Sequence, residues 1–528
     1  MQKIQELGKI SATGSFQLFW GVALSTIIMA VGTIILARLM TPEEYGLYSI
    51  ALIPTYMAVL FRDWGVNSAI TKYTASLRAQ NKLQDAKAVI AAGTLFEIVS
   101  GLAVTAILIA LSSFLSTVIF KRPESATLIA IASTTLLTGA LLTAAQACFT
   151  GFERMELTSI TNLLQATVKT VASPLLVFLG LSVIGATIGY IIAFAAAAVI
   201  SILLLYLKIT RKLKPNSTQK TSITQTLKAM LNYGFPLSIA GIISGFLLQF
   251  YSFLMVIYCT DATIGNYQVA TQFATILTFI TTPISTVLFP AFSKINPHEE
   301  SELLQTVFAS SVKYTAIVLV PVTTAMMALS QPMISTIFGD KWATAPYFLT
   351  LYVIGNLYAL IGNLSIGSFL AGIGETKIQM KLSLITLAFG IPLAFLLIPT
   401  YGIVGLIIGS ITSRAPAIFI GLHWIEKNYN AKINLPDSLR ILAAAAIAAA
   451  AAFLAISLTA FADWIELAIG GTAFILAYLS LAPLIGAITS SDIKNLKNLF
   501  SGLGLISKIL NIPLTAMEKI LGAAGIRA

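Results

Sequence analysis

The chain has 528 residues, of which 57% are hydrophobic and 10% charged, and its formal net charge is +11. Water-soluble domains carry about 25% charged residues, so this composition excludes a soluble globular protein and indicates a polytopic membrane protein. The basic residues are scattered through short polar segments without interleaved aromatic residues, so no nucleic-acid partner is expected. The spacing of Cys148, Cys259, His298 and His423 is not that of metal ligands, and no metal or other cofactor is predicted.

Continuous apolar runs predict an all-α fold with about fourteen transmembrane helices. The first run lacks a small-residue cleavage site and is expected to remain as a helix. Whether the run from Ser112 to Phe120 extends the third helix is left open. The expected limits are 16–37, 45–66, 89–111, 125–149, 157–180, 183–207, 233–257, 264–290, 312–337, 343–370, 380–399, 402–424, 440–462 and 464–488.

The basic residues also predict the orientation. With the N-terminus in the cytoplasm, 25 of the 32 lysines and arginines lie on the cytoplasmic side and 4 on the other. This asymmetry follows the positive-inside rule. We therefore expect a multi-pass protein of the cell membrane, in contact with membrane lipids, with both termini cytoplasmic.

Four glycine pairs with offsets of 219 to 221 occupy corresponding places in the span pattern, namely Gly46 and Gly265, Gly151 and Gly372, Gly185 and Gly405, and Gly189 and Gly409. Chance is the alternative, since the chain holds 35 glycines. A duplication with six spans per repeat predicts two lobes related by an axis along the membrane normal, with a cavity between them. The expected organisation is an N-terminal six-helix lobe (1–213), a cytoplasmic linker (214–228), a C-terminal six-helix lobe (229–428), an extra helix pair (429–488) and a cytoplasmic tail (489–528).

The tail is predicted to form an amphipathic helix on the cytoplasmic leaflet. Lys494 and Lys497 alternate there with apolar residues at helical spacing, namely Ile493, Leu496, Leu499, Phe500 and Leu503.

Polar residues inside the spans are the candidate site residues, because they are costly in lipid. In the fifth span they form one stripe along the helix, consisting of Thr158, Asn162, Gln165, Lys169 and Ser173. Interhelical hydrogen bonds are the alternative explanation for Asn162 or Gln165, but not for Lys169, which lies about 18 Å deep.

Three further spans carry such residues. The eighth has Gln268 and Gln272 among threonines and serines, with Pro283 and Pro290 expected to kink it; the tenth has Asn356 and Asn363; the twelfth has Arg414 in mid-span. The predicted substrate-binding residues are Arg62, Lys169, Arg414, Asn162, Gln165, Gln268, Gln272, Asn356 and Asn363.

The charged residues leave alternatives open. A snorkelling side chain is the other interpretation of Arg62, which lies near the cytoplasmic end of the second span. Asp63 and Glu97 are the acids within the predicted spans and are candidate ion-coupling residues. Glu97 either neutralises Lys169 or titrates as a coupling site.

The sequence indicates a transporter and not an enzyme. It contains no G-x-x-x-x-G-K-[ST] loop and no soluble domain, and no catalytic residue is predicted. A structural membrane protein is a third interpretation, against which the charges within the spans argue.

The first hairpin carries the succession Ala37-Arg38-Leu39, Pro42-Glu43-Glu44-Tyr45-Gly46, Asp63-Trp64-Gly65 and Lys72-Tyr73. This succession resembles the opening of the polysaccharide-biosynthesis flippases, the O-antigen and oligosaccharide branch of the multidrug/oligosaccharidyl-lipid/polysaccharide exporter superfamily. The rest of the chain agrees with that family in architecture only.

The resemblance implies a flippase that translocates a lipid-linked (poly)phosphate oligosaccharide by alternating access, for surface polysaccharide or glycoprotein assembly. Glycosyltransferases or a polymerase of the same pathway would be its partners. Fixed cations suit the phosphate, and the amide and hydroxyl stripes suit the sugars. The alternative is a cation-coupled antiporter of the multidrug and toxin extrusion type, which would need acids for cationic cargo.

Overall fold

The computed structural model describes residues 2–213, 222–297, 299–459, 461–500 and 505–523. Throughout these ranges the regular structure is helical and no strand occurs, which confirms the predicted all-α class. His298, most of the predicted linker (214–221) and Leu503 of the tail lie outside these ranges. The chain forms two compact units, Met1–Gly265 and Asn266–Ala528.

The first unit contains the helices α1 (Gln2–Leu39), α2 (Pro42–Val59), α3 (Val66–Ala79), α4 (Leu83–Phe114), α5 (Ser125–Ser133), α6 (Thr135–Gly151), α7 (Met155–Leu176), α8 (Ser182–Lys208) and α9 (Ile223–Tyr258). The helix α10 (Asp261–Ser293) begins in the first unit and continues into the second. The second unit also contains α11 (Ser301–Ala328), α12 (Ser330–Phe338), α13 (Ala345–Val353), α14 (Asn363–Gly372), α15 (Thr376–Thr412), α16 (Ala415–Tyr429), α17 (Leu435–Ser457), α18 (Asp463–Leu484), α19 (Ser490–Phe500) and α20 (Leu505–Ala523).

The helices confirm a multi-pass membrane protein. Within the described ranges, nine helical stretches are long and apolar enough to span a bilayer. The stretch Ala345–Ile361, which begins with α13, and the helix α14 are bent by 52° and would together make a tenth. One stretch, Met155–Lys212, reverses direction at Gly180 and Ser182, so it contains the two antiparallel helices α7 and α8. The count of fourteen spans stays a prediction. The third helix does extend, through Ile119.

The helix α2 begins at a strong N-terminal cap. The hydroxyl oxygen of Thr41 accepts a hydrogen bond from the N–H of Glu44, and the Glu44 carboxylate accepts one from the N–H of Thr41. Pro42 occupies the first turn, where its missing N–H costs nothing.

The second span differs from its prediction as one apolar run, 45–66. It ends at Val59, and the chain turns through residues 60–65 before α3 begins. Trp64 and Gly65 have φ angles of 49° and 75°, which a continuing right-handed helix does not allow. Arg62 and Asp63 therefore lie in the break between α2 and α3 and not within a continuous helix.

The helix α9 packs along the first unit. Tyr73 stacks edge-on against Tyr233 at 6.0 Å between ring centroids, and Phe120 against Phe253 at 5.4 Å. The predicted repeat assigns α9 to the C-terminal lobe, whereas the contacts between Cα atoms group it with the first unit. The lobe boundary at 214–228 concerns the repeat and stays a prediction.

The first tail helix, α19, covers protein. Ile493 and Leu496 are buried in a core cluster with Ala444 and Tyr478 of α17 and α18 and Leu514 of α20. The apolar face of α19 therefore packs against other helices of the second unit, and not against the membrane leaflet as predicted. The side chains of Leu499 and Phe500 lie outside the described part.

Candidate functional site

Lys169 lies in α7 without an ion-pair partner among the residues that the structure describes. Its ammonium stands 5.1 Å from the centre of the Tyr190 ring, which belongs to the neighbouring helix α8. A cation over a ring face is stabilised, but a carboxylate does not neutralise it here. The predicted neutralisation of Lys169 by Glu97 is therefore wrong, because Glu97 pairs elsewhere.

Glu97 pairs with Arg62. The Nε atom of Arg62 is 3.5 Å from Oε2 of Glu97, and the two side chains are 4% and 0% exposed. Arg62 also donates hydrogen bonds to the carbonyl oxygen of Leu136 (3.1 Å) and to the hydroxyl of Thr143 (3.0 Å). The guanidinium is thus enclosed by the protein, so it does not snorkel to an aqueous surface.

The cluster around Glu97 includes the other predicted coupling residue. Asn67 donates a hydrogen bond from Nδ2 to Oε1 of Glu97 (3.0 Å), and its own N–H donates to Oδ1 of Asp63 (2.9 Å). Asn67 thus connects the carboxyl groups of Asp63 and Glu97 at the helix break, and Arg62 pairs with Glu97.

The polar stripe of α7 is partly a packing surface. Thr158 and Ser173 are buried, and the Ser173 hydroxyl donates to the carbonyl oxygen of Ala186 in α8 (3.1 Å). Asn162 accepts a hydrogen bond from Nε2 of Gln146 (2.8 Å). Gln165 and Lys169 are half-buried. Asn162 is half-buried as well, so Asn162, Gln165 and Lys169 remain the more accessible part of the stripe.

In the second unit Arg414 lies at the break between α15 and α16 and is exposed. It borders a cavity of about 160 Å³ together with the predicted residue Asn363. The same cavity is lined by Gln379, Ser383 and Thr386 of α15, which the sequence analysis missed. Their recurrence on one helical face was the signal that could have found them.

The other predicted residues of this unit are more dispersed. Thr281, Thr282 and Ser285 of α10 line a cavity of about 450 Å³ with Phe289 and Leu364, which places the end of the α10 stripe at an open volume. Gln268 and Gln272 are half-buried.

Asn356 donates from Nδ2 to the carbonyl oxygen of Val353 (3.2 Å), within its own turn. The helix α10 continues past Pro283 and Pro290 to Ser293, and the side chain of Pro283 lies outside the described part. The expected kink of α10 stays a prediction.

Tyrosines surround both cations, and the sequence analysis did not single them out. Beside Lys169, the Tyr190 hydroxyl donates to that of Tyr56 (3.4 Å), and Tyr48 interacts electrostatically with both. In the second unit, Tyr267 and Tyr358 interact electrostatically with Arg414. Tyrosine counts as apolar in a hydropathy pattern, so these hydroxyls were hidden inside predicted spans.

A sequence profile described as "Polysaccharide biosynthesis protein" matches residues 35–346, which is more than half of the chain. The chain belongs to this polysaccharide biosynthesis protein family. The match includes the first hairpin, on which the predicted resemblance rests, and that resemblance is confirmed.

Two relatives of this chain are named for glycan or lipopolysaccharide biosynthesis. The chain is 21% identical over 287 residues to the probable low-salt glycan biosynthesis flippase Agl15 of Haloferax volcanii, covering 54% of this chain and 60% of that protein. It is 31% identical over 148 residues to the lipopolysaccharide biosynthesis protein WzxC of Escherichia coli, covering 28% of each chain. The chain thus spans less than two thirds of the length of either relative.

Two solved structures of membrane transporters have the same fold as this chain. The lipid II flippase MurJ, in an inward closed conformation, aligns with a TM-score of 0.71 at 17% identity, covering 88% of this chain and 98% of that one. An inward-facing multidrug resistance transporter of the MATE family aligns with a TM-score of 0.64 at 16% identity, covering 77% and 95%. At these identities the likeness concerns the fold alone.

Proposed function

We propose that the chain is a flippase that translocates a lipid-linked oligosaccharide, carried on a phosphate or pyrophosphate, across the cell membrane by alternating access. The observation that carries the proposal is that Lys169 and Arg414 lie among membrane helices without a carboxylate partner in the described residues. A charge at membrane depth costs several kcal/mol, about 3 or more, unless water or a counter-charge receives it. An anionic cargo supplies that counter-charge during transport.

The uncharged polar groups support a glycan as the remainder of the cargo. Gln379, Ser383 and Thr386 surround the cavity beside Arg414, and Thr281 and Ser285 line the larger one. Amide and hydroxyl groups both donate and accept hydrogen bonds, as sugar hydroxyls do. The names of the relatives, a glycan biosynthesis flippase and a lipopolysaccharide biosynthesis protein, support the same cargo class.

The cluster of Arg62, Asp63 and Glu97 is proposed as the ion-coupling element. Arg62 is enclosed and partnered, so its assignment to cargo binding has less support than that of Lys169 and Arg414. We also propose, from the charge asymmetry of the loops, that both termini are cytoplasmic. Glycosyltransferases or a polymerase acting on the same glycan would be the functional partners.

A cation-coupled antiporter of drugs or metabolites is the second candidate, supported by the shared fold of the MATE transporter. A cationic cargo would require unpaired acids in an accessible cavity. Glu97 is 0% exposed and already paired with Arg62, whereas Lys169 and Arg414 have no carboxylate partner among the described residues. The charge distribution therefore favours the flippase.

The test is glycan export in cells that depend on this protein. Lys169→Ala and Arg414→Ala should leave membrane abundance unchanged, because each removes a charge that no carboxylate neutralises within the described part of the chain, while export falls strongly. Lys169→Arg should retain part of the export, since the positive charge survives. Normal export by both alanine variants would overturn the anionic-cargo proposal.

A further inference from the structure

Three tyrosines form a cluster near Lys169, and two of them, Tyr48 and Tyr56, hold hydrogen-bond donors that have no acceptor among the described residues. Tyr48 is 5% exposed, and its hydroxyl is buried without a hydrogen-bond partner among the described residues. Tyr190 donates its proton to the oxygen of Tyr56, and the Tyr56 hydroxyl has no acceptor for its own proton among the described residues. The Lys169 ammonium meets a ring face and, within the described chain, no acceptor oxygen.

Unused donors inside a membrane protein are unusual, because an unmade hydrogen bond costs about 1–3 kcal/mol there. Three groups can donate hydrogen bonds here, namely the hydroxyls of Tyr48 and Tyr56 and the ammonium of Lys169. In the described structure no carboxylate, amide oxygen or carbonyl oxygen accepts a hydrogen bond from them. The missing partner must therefore supply acceptors. Tyr56 is 40% exposed, so the cluster is open on one side.

We propose that Tyr48 and Tyr56, with Lys169, bind the phosphate group of the cargo through hydrogen bonds, and that Tyr190 positions Tyr56 and Lys169. This inference rests on the proposed function and adds Tyr48 and Tyr56 as binding residues and Tyr190 as a positioning residue. A phosphate presents only acceptor oxygens at neutral pH, which matches a site composed of donors. Each sugar hydroxyl carries a donor beside its acceptor lone pairs, and that donor would find no acceptor among these groups.

The role of each tyrosine follows from its contacts. Tyr48 and Tyr56 supply the free protons, both from α2. Tyr190 orients Tyr56 through their shared hydrogen bond and holds Lys169 over its ring. The rigid rings fix the donors without the conformational entropy that flexible side chains would lose on binding.

The experiment measures binding to the purified full-length protein in detergent, with a polyprenyl pyrophosphate, the matching polyprenol and inorganic pyrophosphate as probes. Tyr48→Phe and Tyr56→Phe each delete one hydroxyl without changing ring volume. Each should weaken binding of the polyprenyl pyrophosphate by a factor of roughly 10, because the lost hydrogen bond is to a charged group. Tyr206→Phe is the matched control on α8, with a ring that is 58% exposed.

Thermal unfolding distinguishes a binding role from a structural one. The Tyr48 hydroxyl has no partner in the described protein, so Tyr48→Phe should leave the melting temperature unchanged or raise it while affinity falls. A lower melting temperature with unchanged affinity would overturn the inference. Equal binding of the polyprenol, or of inorganic pyrophosphate, would overturn the assignment to a lipid-borne phosphate.

Different binding results would contradict the tyrosine site and the proposed function. If Lys169→Ala abolishes binding of the polyprenyl pyrophosphate and both phenylalanine variants bind normally, the flippase proposal stands and the tyrosine site is wrong. If the unaltered protein binds no polyprenyl pyrophosphate, the proposed function fails first.

Discussion

Gly46 and Gly265 meet in a reciprocal contact. A Cβ atom on Gly46 would collide with the carbonyl oxygen of Asp261, and one on Gly265 would collide with that of Pro42. The offset of 219 that relates Gly46 to Gly265 also relates Pro42 to Asp261. Each half of the contact therefore repeats the other with the roles exchanged, as a pseudo-two-fold axis requires. This supports the predicted duplication.

The first prediction concerns this contact. Gly265→Ala should lower stability by about 1–3 kcal/mol, because the added methyl group meets backbone that cannot move aside cheaply. Thermal unfolding of the purified protein, followed by intrinsic fluorescence, measures the change. Gly471→Ala is the control, since no atom lies near its Cβ position and alanine favours the helix. Equal melting temperatures for the two variants would show that the contact is not tight.

The second prediction concerns the ion pair of Arg62 and Glu97. Glu97→Leu should cost about 3–5 kcal/mol, because it leaves a guanidinium buried without its counter-charge. Arg62→Met in the same chain should recover most of that loss, since two apolar side chains then fill the site. Membrane abundance and melting temperature report stability, and export is measured beside them.

A stable double variant that exports nothing would support a role of the cluster in coupling or cargo binding. Full export by the double variant would make the pair purely structural. A tolerated Glu97→Leu single variant would contradict the pairing itself.

The third prediction concerns Lys313, which joins three helices. Its ammonium lies 3.2 Å from a carboxylate oxygen of Asp437 in α17 and 2.7 Å from one of Asp492 in α19. Lys313→Met should destabilise by about 2–4 kcal/mol, because two partly buried carboxylates then face each other. Lys432→Met is the control, since its pair with Glu426 is exposed and contributes about 0–1 kcal/mol. Similar melting temperatures for the two variants would argue against docking of α19 through this cluster.

The fourth prediction is the topology. Reporter fusions after Pro215 and after Ser491 should both indicate the cytoplasm, as the 25 to 4 distribution of basic residues requires. An external signal at either position would break the even number of spans in each repeat.

The sequence was sufficient for the features that depend on local composition. The helical class and the membrane location follow from apolar runs. Gly185 packs against Leu176 at the end of α7, and Gly405 packs against Leu397 across the kink at Gly402 within α15, as their shared offset suggested. The break of the second span was not visible, because Trp64 and Gly65 look apolar in a hydropathy pattern. Their positive φ angles depend on tertiary contacts such as that of Gly65 with Gly234.

The candidate site was only partly predictable for a related reason. Lys169, Arg414 and Asn363 could be selected by residue type alone, because a charged or amide side chain within an apolar span is conspicuous. The ion-pair partners of these charges could not be predicted, because Arg62 and Glu97 are far apart in the sequence and no helical periodicity relates them. Buried tyrosines carry a polar atom on an apolar body, so a count of apolar residues cannot reveal them.

The reciprocal glycine contact also bears on how this molecule evolved. An ancestral gene that was copied and fused would have given both halves the same residues, and Tyr48 and Tyr267 still match at an offset of 219. The cations do not match: an offset of 220 pairs Lys169 with Phe389 and Arg414 with Phe194. The two halves thus carry their positive charges at different places. Selection for a cargo with unlike ends would produce this divergence, because a symmetric ancestor has no means to tell those ends apart.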